Sequence, residues 1–205
     1  DCALCPRLVS YRDQNRAAFP DWHNGPVQSF GGVESELLIL GLAPGVRGAN
    51  KTGRPFTGDF AGDLLYRTLS AFRFSSGTYD SNPHDGVELI NCRIANAVRC
   101  VPPQNKPVGS EIKACAPFLE EEIAAMRNLR LILALGTIAH NSALNVFGHR
   151  KASFKFGHNK LHAFEQGPYI LDSYHCSRYN TNTGRLTTQM FHDVFDRIRQ
   201  IIPLS

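Results

Sequence analysis

The sequence predicts an α/β fold, a three-layer α/β/α sandwich around a central, mostly parallel four-stranded sheet. Three observations predict it. Four short apolar runs, at 37–42, 87–91, 131–136 and 169–173, are separated by longer stretches with helical periodicity. The first run opens Leu37, Leu38, Ile39, Leu40 with no polar alternation, which implies a strand buried on both faces. Strands that alternate with helices pair in parallel, because each crossover helix must pack back onto the sheet. At 205 residues the chain forms one domain, residues 1–205, large enough for a single substantial core.

Taken in order, the chain opens with Cys2 and Cys5 in a C-x-x-C expected on the first turn of an N-terminal helix. Strand 37–42 follows. It launches a loop that carries six glycines, two prolines, three cations and two carboxylates between Gly41 and Asp63. A helix is expected over 59–72, with Asp59 at its start. Strand 87–91 and helix 110–127 come next, then strand 131–136 and helix 137–147. The segment 148–162 is rich in Lys, Arg and His interleaved with Phe154 and Phe156, and reads as a solvated loop or as an edge that tracks phosphates. Strand 169–173 precedes the clearest helix, 187–202. There Met190, Phe191, Val194, Phe195, Ile198 and Ile201 share one face behind a capping Thr187.

Composition narrows the function classes. Hydrophobic content is 42 % and no apolar stretch approaches the roughly 20 residues of a membrane-spanning helix. The formal charge of +4 is compatible with nucleic-acid binding where the cations share a face. Six cysteines say more. Cys2 and Cys5, with Cys100 and Cys115 downstream, read as a metal or cluster site in a chain without a secretory signal, while Cys92 and Cys176 stand apart. Four thiolates suit zinc and a [4Fe–4S] cluster alike, and disulfides or free buried thiols stay open on spacing alone.

The loop after the first strand lies where parallel sheets place their ligands, beyond the carboxyl ends of the strands. Gly45, Gly48, Gly53 and Gly58 are expected to allow positive φ and close backbone approach. Arg47, Lys51 and Arg54 add charge for an anionic backbone. A nucleotide-binding P-loop is excluded by pattern: residues 45–52 read GVRGANKT, with Asn50 where the second glycine must stand.

Three segments complete a pattern: GLAPGVRGANKTGRPFTGD from Gly41, NAVRCVPP from Asn96, and HCSRYNTNTGRLT from His175. Together with the four spaced cysteines they resemble the family-five uracil-DNA glycosylases, the iron–sulfur branch that removes deaminated bases from DNA. The resemblance covers nearly the whole chain. It implies a [4Fe–4S] cluster on Cys2, Cys5, Cys100 and Cys115. Its partners are double- and single-stranded DNA containing deaminated bases, and it implies a monomer that works in the cytoplasm at the nucleoid, away from membranes. Two positions depart from the related patterns. Leu42 stands where the sister family four has Glu, and Cys176 stands where Pro usually follows the histidine.

N-glycosidic cleavage passes through a sugar with oxocarbenium character while the base leaves as an anion. The resemblance therefore casts Asp59 as the residue that orients water and stabilises the cation. The helix dipole is expected to keep it ionised and only weakly basic. His175 would donate to the departing base, and Asn96 would read its edge, donating to O4 and accepting from N3–H of uracil. Read alone, these are a helix cap, a satisfied polar residue and a turn-capping Asn. Phe56, set among Gly, Pro, Thr and Asp, resembles the ring that stacks on an extruded base, with Gly41, Ala43 and Gly45 completing the base pocket. Residues 177–183 would form a loop entering the minor groove, with Ser177, Arg178, Tyr179, Asn180 and Asn182 against the DNA, although such polar loops are also plain turns. No Lys stands in these motifs where a Schiff-base nucleophile would act, so a monofunctional enzyme is expected. Two alternatives remain at this point: a uracil specialist of the family-four kind, and a non-enzymatic iron–sulfur module that binds damaged or single-stranded DNA.

Overall fold

The computed structural model describes residues 2–204. In chain order the elements are α1 (Pro6–Ala18), β1 (Leu37–Gly41), α2 (Ala49–Thr52), α3 (Phe60–Ala71), β2 (Ser75–Ser76), β3 (Glu88–Leu89), β4 (Cys92–Asn96), α4 (Gly109–Ala125), β5 (Leu131–Leu135), α5 (Thr137–Val146), β6 (Leu161–His162), β7 (Tyr169–Ser173), α6 (Arg178–Asn182) and α7 (Thr188–Ile201). The main sheet runs β4-β1-β5-β7-β6. Its first four strands are parallel and β6 closes one edge antiparallel to β7.

Side-chain alternation divides the core between two layers. Leu37 and Ile39 point into a cluster with Leu65, Leu69, Phe191, Val194 and Phe195 of α3 and α7. Leu38 and Leu40 point the other way, to Leu119, Ile123, Ala139 and Ala143 of α4 and α5. In α7, Phe191, Val194, Phe195 and Ile198 are all fully buried. Burial of each such side chain stabilises the fold by roughly 1.5–3 kcal/mol. Thr187 caps that helix by accepting from Met190 N–H at 3.1 Å. At the other end of the chain, the Arg7 guanidinium binds both oxygens of Glu111 at 2.7 and 2.8 Å and pins α1 to α4.

The sheet differs from its expected form in two ways. It has five strands rather than four, because the short β6 joins the edge. The second strand is 92–96, not 87–91. Within 87–91 only Glu88 and Leu89 are extended, in a small hairpin with Ser75 and Ser76. Arg93 disguised the true strand. Its guanidinium leaves the sheet to pair with Glu122 and the Gly31 carbonyl, while Cys92 and Ile94 are fully buried. The C-x-x-C also sits slightly earlier than expected: Cys5 is the N-cap residue of α1 and Cys2 precedes the helix.

Candidate functional site

The parallel strands end on a cavity of about 400 Å³ lined by Ala43, Gly45, Phe56, Asp59, Asn96 and His175, with Leu42, Pro44, Phe60, Asn105, Ser177 and Arg178 among its other walls. Three strand ends feed it. Gly41 closes β1, Asn96 closes β4 in register with Gly41, and His175 follows β7 by two residues.

Gly41 works by lacking a side chain. A Cβ there would collide with Asn96 Oδ1 and would lie 2.7 Å from Phe56 Cζ. Its carbonyl is already taken by Ala97 N–H at 3.0 Å, so the residue lets the amide and the ring converge and offers no contact of its own through that carbonyl. The glycines of the loop act in the same manner and not, at two positions, through positive φ. Gly53 (φ 78°) and Gly58 (φ 87°) are left-handed as expected, but Gly45 and Gly48 are not. A Cβ on Gly48 would strike the Asp59 carboxylate, and one on Gly45 would lie 3.1 Å from Asp59 Oδ2. The space that an anion-binding loop would keep for phosphate is filled here by a carboxylate.

Asp59 caps α3, accepting from Gly62 N–H at 3.2 Å. Burial nevertheless pushes its carboxyl above the usual range, with the neighbouring Asp63 adding to the effect and the N–H groups of Gly62 and Ala61 opposing it. The expectation of a readily ionised, weakly basic cap is thereby corrected: desolvation outweighs the helix terminus and makes Asp59 the stronger base. His175 is shifted in the opposite sense, down to about 4, because burial disfavours its charged form. It is a neutral imidazole at physiological pH. Its ring stacks on Phe56 with centroids 5.9 Å apart, and its backbone carbonyl accepts from Asn180 Nδ2 at 2.8 Å.

Phe56 is buried in the core as well as facing the cavity, at 7 % exposure, and its φ of +51° is strained for a bulky residue. The surrounding residues over-determine that conformation. Tyr79 Oη donates to the Phe56 carbonyl at 3.2 Å, and Tyr66 Oη donates to the Pro55 carbonyl at 2.8 Å. Arg54 supplies the rest. Its Nε donates to Thr57 Oγ1 at 2.8 Å, and its two terminal nitrogens clasp Asp85, each at 2.8 Å. The guanidinium also lies against the rings of Phe30, Tyr66 and Tyr79 at 5.2–5.8 Å.

Arg54 is therefore not available to a phosphate, contrary to the expectation from sequence. Its side chain is buried and its charge is spent on Asp85. Arg47 and Lys51 are exposed, with Lys51 Nζ 5.8 Å from the Trp22 ring centroid. Residues 178–182 form the short helix α6 instead of a loop, because Ser177 caps it by accepting from Asn180 N–H. The helix divides its side chains. Arg178 lies over the Phe60 ring at 5.3 Å beside the cavity, Tyr179 is 72 % exposed, Asn182 is exposed, and Asn180 turns inward to hold the His175 backbone.

Sequence patterns did not mark Asn105, Tyr66, Tyr79 or Asp85. Asn105 reaches the cavity from a turn in which it and Gln104 both adopt positive φ, at 55° and 57°. Asp85 lies 31 residues from the Arg54 it holds. Only a left-handed Asn after two prolines offered any local signal.

The four spaced cysteines line a second, small cavity between α1, α4 and the chain after β4. Burial raises the thiols of Cys5, Cys100 and Cys115, Cys100 to about 11, and mutual proximity raises them further. Arg99 N–H donates to Cys115 Sγ at 3.4 Å. Cys92 and Cys176 are fully buried elsewhere in the core.

Comparison with known proteins adds an independent line. A family model for the uracil DNA glycosylase superfamily matches residues 28–199. The chain is similar to a type-5 uracil-DNA glycosylase of Thermus thermophilus, 43 % identical over 99 % of this chain and 94 % of the relative. It is 38 % identical to a type-5 uracil-DNA glycosylase of Pyrobaculum aerophilum, over 96 % and 87 % of the two chains. A type-4 uracil-DNA glycosylase of the same organism is 32 % identical over 72 % of this chain and 62 % of its own length.

Proposed function

The chain belongs to the uracil DNA glycosylase superfamily and is a uracil-DNA glycosylase; from that premise we propose that it hydrolyses the N-glycosidic bond of uracil, hypoxanthine and xanthine in DNA, acting as a monomer on bases extruded from either double- or single-stranded DNA. The observation that carries this reading is the convergence of Asp59, Asn96, His175 and Phe56 on one cavity at the strand ends. Asp59 as carboxylate positions the attacking water and faces the developing sugar cation. Asn96 accepts from N3–H of uracil and donates to O4. Hypoxanthine and xanthine present the same donor and acceptor at N1–H and O6, so one amide can read all three bases, whereas cytosine and adenine present the reverse. His175, held neutral by burial, donates a hydrogen bond to the leaving base that strengthens as negative charge develops. Phe56 provides the stacking face. Exposed Arg47, Lys51, Arg178, Tyr179 and Asn182 contact the DNA, and Ser177 and Asn180 set the helix that carries them.

The cysteine set fits a cluster. Four thiols share one pocket, burial raises those of Cys5, Cys100 and Cys115, and a bound cationic cluster would stabilise their thiolates. Four thiolates suit zinc and a [4Fe–4S] unit alike, and the family resemblance is what favours the cluster. When bound, the cluster would tie the N-terminal segment to α4.

Incubation with duplexes containing one uracil, hypoxanthine or xanthine, followed by alkali, tests the activity. Cleavage at all three is expected; cleavage at uracil alone would favour the narrower specificity, and none at any base would leave only a binding role. His175→Ala is expected to slow release most for bases that leave reluctantly as anions, so its penalty should vary across the three substrates. Gly41→Ala drives a methyl group between Asn96 and Phe56 and is expected to lower the single-turnover rate at least ~10-fold, the order of one lost positioning contact. The protein purified without oxygen is expected to be brown with about four irons per chain. Cys92→Ser should keep that colour and Cys100→Ser should lose it.

A further inference from the structure

A second cluster of metal-ligating side chains lies away from the cavity. His140 of α5, His162 of β6 and Asp172 of β7 are 1 %, 4 % and 0 % exposed, and their ligand atoms all lie within 4.8 Å of one another. None of the three lines the cavity.

Proton accounting makes this cluster unusual. His140 Nε2 faces the Phe154 carbonyl at 2.8 Å, and a carbonyl only accepts, so Nε2 carries the hydrogen. His140 Nδ1 then faces Asp172 Oδ1 at 2.7 Å. In a neutral imidazole that nitrogen presents a lone pair, and an ionised carboxylate presents another. Two lone pairs at this separation in the dry interior repel unless a positive charge lies between them, either a proton that makes His140 an imidazolium or a metal ion. On the other side of the carboxylate, Oδ2 accepts from Gly157 N–H at 3.1 Å and meets His162 Nε2 at 2.9 Å.

We propose that His140 Nδ1, His162 Nε2 and both oxygens of Asp172 bind a divalent ion of the zinc class. Imidazole and carboxylate donors without sulfur suit zinc and its neighbours and do not suit copper(I) or an iron–sulfur cluster. Donors about 2.0–2.2 Å from one tetrahedral ion stand roughly 3.3–3.6 Å apart, so the His–Asp pairs at 2.7 and 2.9 Å need to open by under about 1 Å to admit it. The Phe154 carbonyl and the Gly157 N–H are the outer partners such a site requires, one fixing the histidine tautomer and the other orienting the carboxylate. The ion joins α5 and β7 to β6, a two-residue edge strand too short to hold itself. Asp172 lies three residues before His175, so the same clamp steadies the strand that presents the leaving-group donor.

Metal analysis and zinc-edge X-ray absorption on the intact protein, purified from zinc-replete cells without chelator, test this. About one zinc per chain is expected beyond the iron, with a first shell of nitrogen and oxygen near 2.0–2.1 Å. His162→Gln and Asp172→Asn should each reduce zinc more than tenfold and leave the iron content and brown colour unchanged. Strong chelator should lower the melting temperature of the wild-type chain, zinc added back should restore it, and His162→Gln should show neither response. Absence of zinc from the wild-type protein, or zinc found only in a sulfur shell near 2.3 Å, would overturn the proposal without touching the glycosylase reading.

Discussion

Asp59→Asn is expected to lower the single-turnover rate of base release by ~10²- to 10⁴-fold for every substrate, the range a positioned acid or base supplies. The uniformity follows from where Asp59 acts. A carboxylate that orients water and faces the sugar cation contributes equally whichever base departs, while His175 acts on the base itself. The pH profile gives a second readout. Burial raises the Asp59 carboxyl, and its working form is the anion, so the wild-type rate should fall as pH drops through a limb above the ordinary carboxylate range. That limb should vanish in Asp59→Asn. A further limb from His175 is not expected at neutral pH, because its imidazole titrates at about 4. Uracil-containing duplex should still bind, since the amide keeps the shape of the cap. Near-normal rates for Asp59→Asn on all bases would move the water-orienting role to Asn96, its neighbour in the cavity.

Asp85→Ala is expected to destabilise the protein by roughly 3–5 kcal/mol, because it leaves the Arg54 guanidinium buried without its partner. For a domain of this size, about 2–4 °C per kcal/mol converts that into a fall of roughly 6–20 °C in melting temperature. The loss should not be confined to stability. Arg54 reaches Thr57 at 2.8 Å and packs on the two tyrosines that bond the Pro55 and Phe56 carbonyls, so the strained Phe56 should relax and the stacking face should blur. Acid has the same target. Arg54 holds the Asp85 carboxyl well below the usual range, so this stabilisation is complete above about pH 4 and is lost progressively as pH falls below it. Thermal denaturation of wild type and Asp85→Ala across that range should give curves that converge at low pH. Parallel curves would show that ionisation of Asp85 does not set the difference between the two proteins. An apolar double replacement, Arg54→Met with Asp85→Leu, should cost less than Asp85→Ala alone, since neither buried charge is then left unpaired.

Local pattern alone carried much of this protein. The unbroken Leu37–Leu40 run, the one-sided face of α7 with its Thr187 cap, and Asp59 at the head of α3 are all decided within a few residues of chain, where periodicity and capping operate. The ordered motifs around Gly41, Asn96 and His175 pointed to the family without any coordinates. What the sequence could not decide depends on partners distant in the chain. Strand β4 was misplaced because Arg93 reads as exposed until Glu122 and the Gly31 carbonyl are seen to receive it. Arg54 reads as a phosphate ligand until Asp85, 31 residues on, neutralises it. The glycines of the loop looked like sites of positive φ, yet Gly45 and Gly48 are needed because a carboxylate folds back against them. The basicity of Asp59 reversed for the same reason. A helix N-terminus is visible in sequence, whereas desolvation is a property of everything packed around a group, and only the tertiary structure sets it.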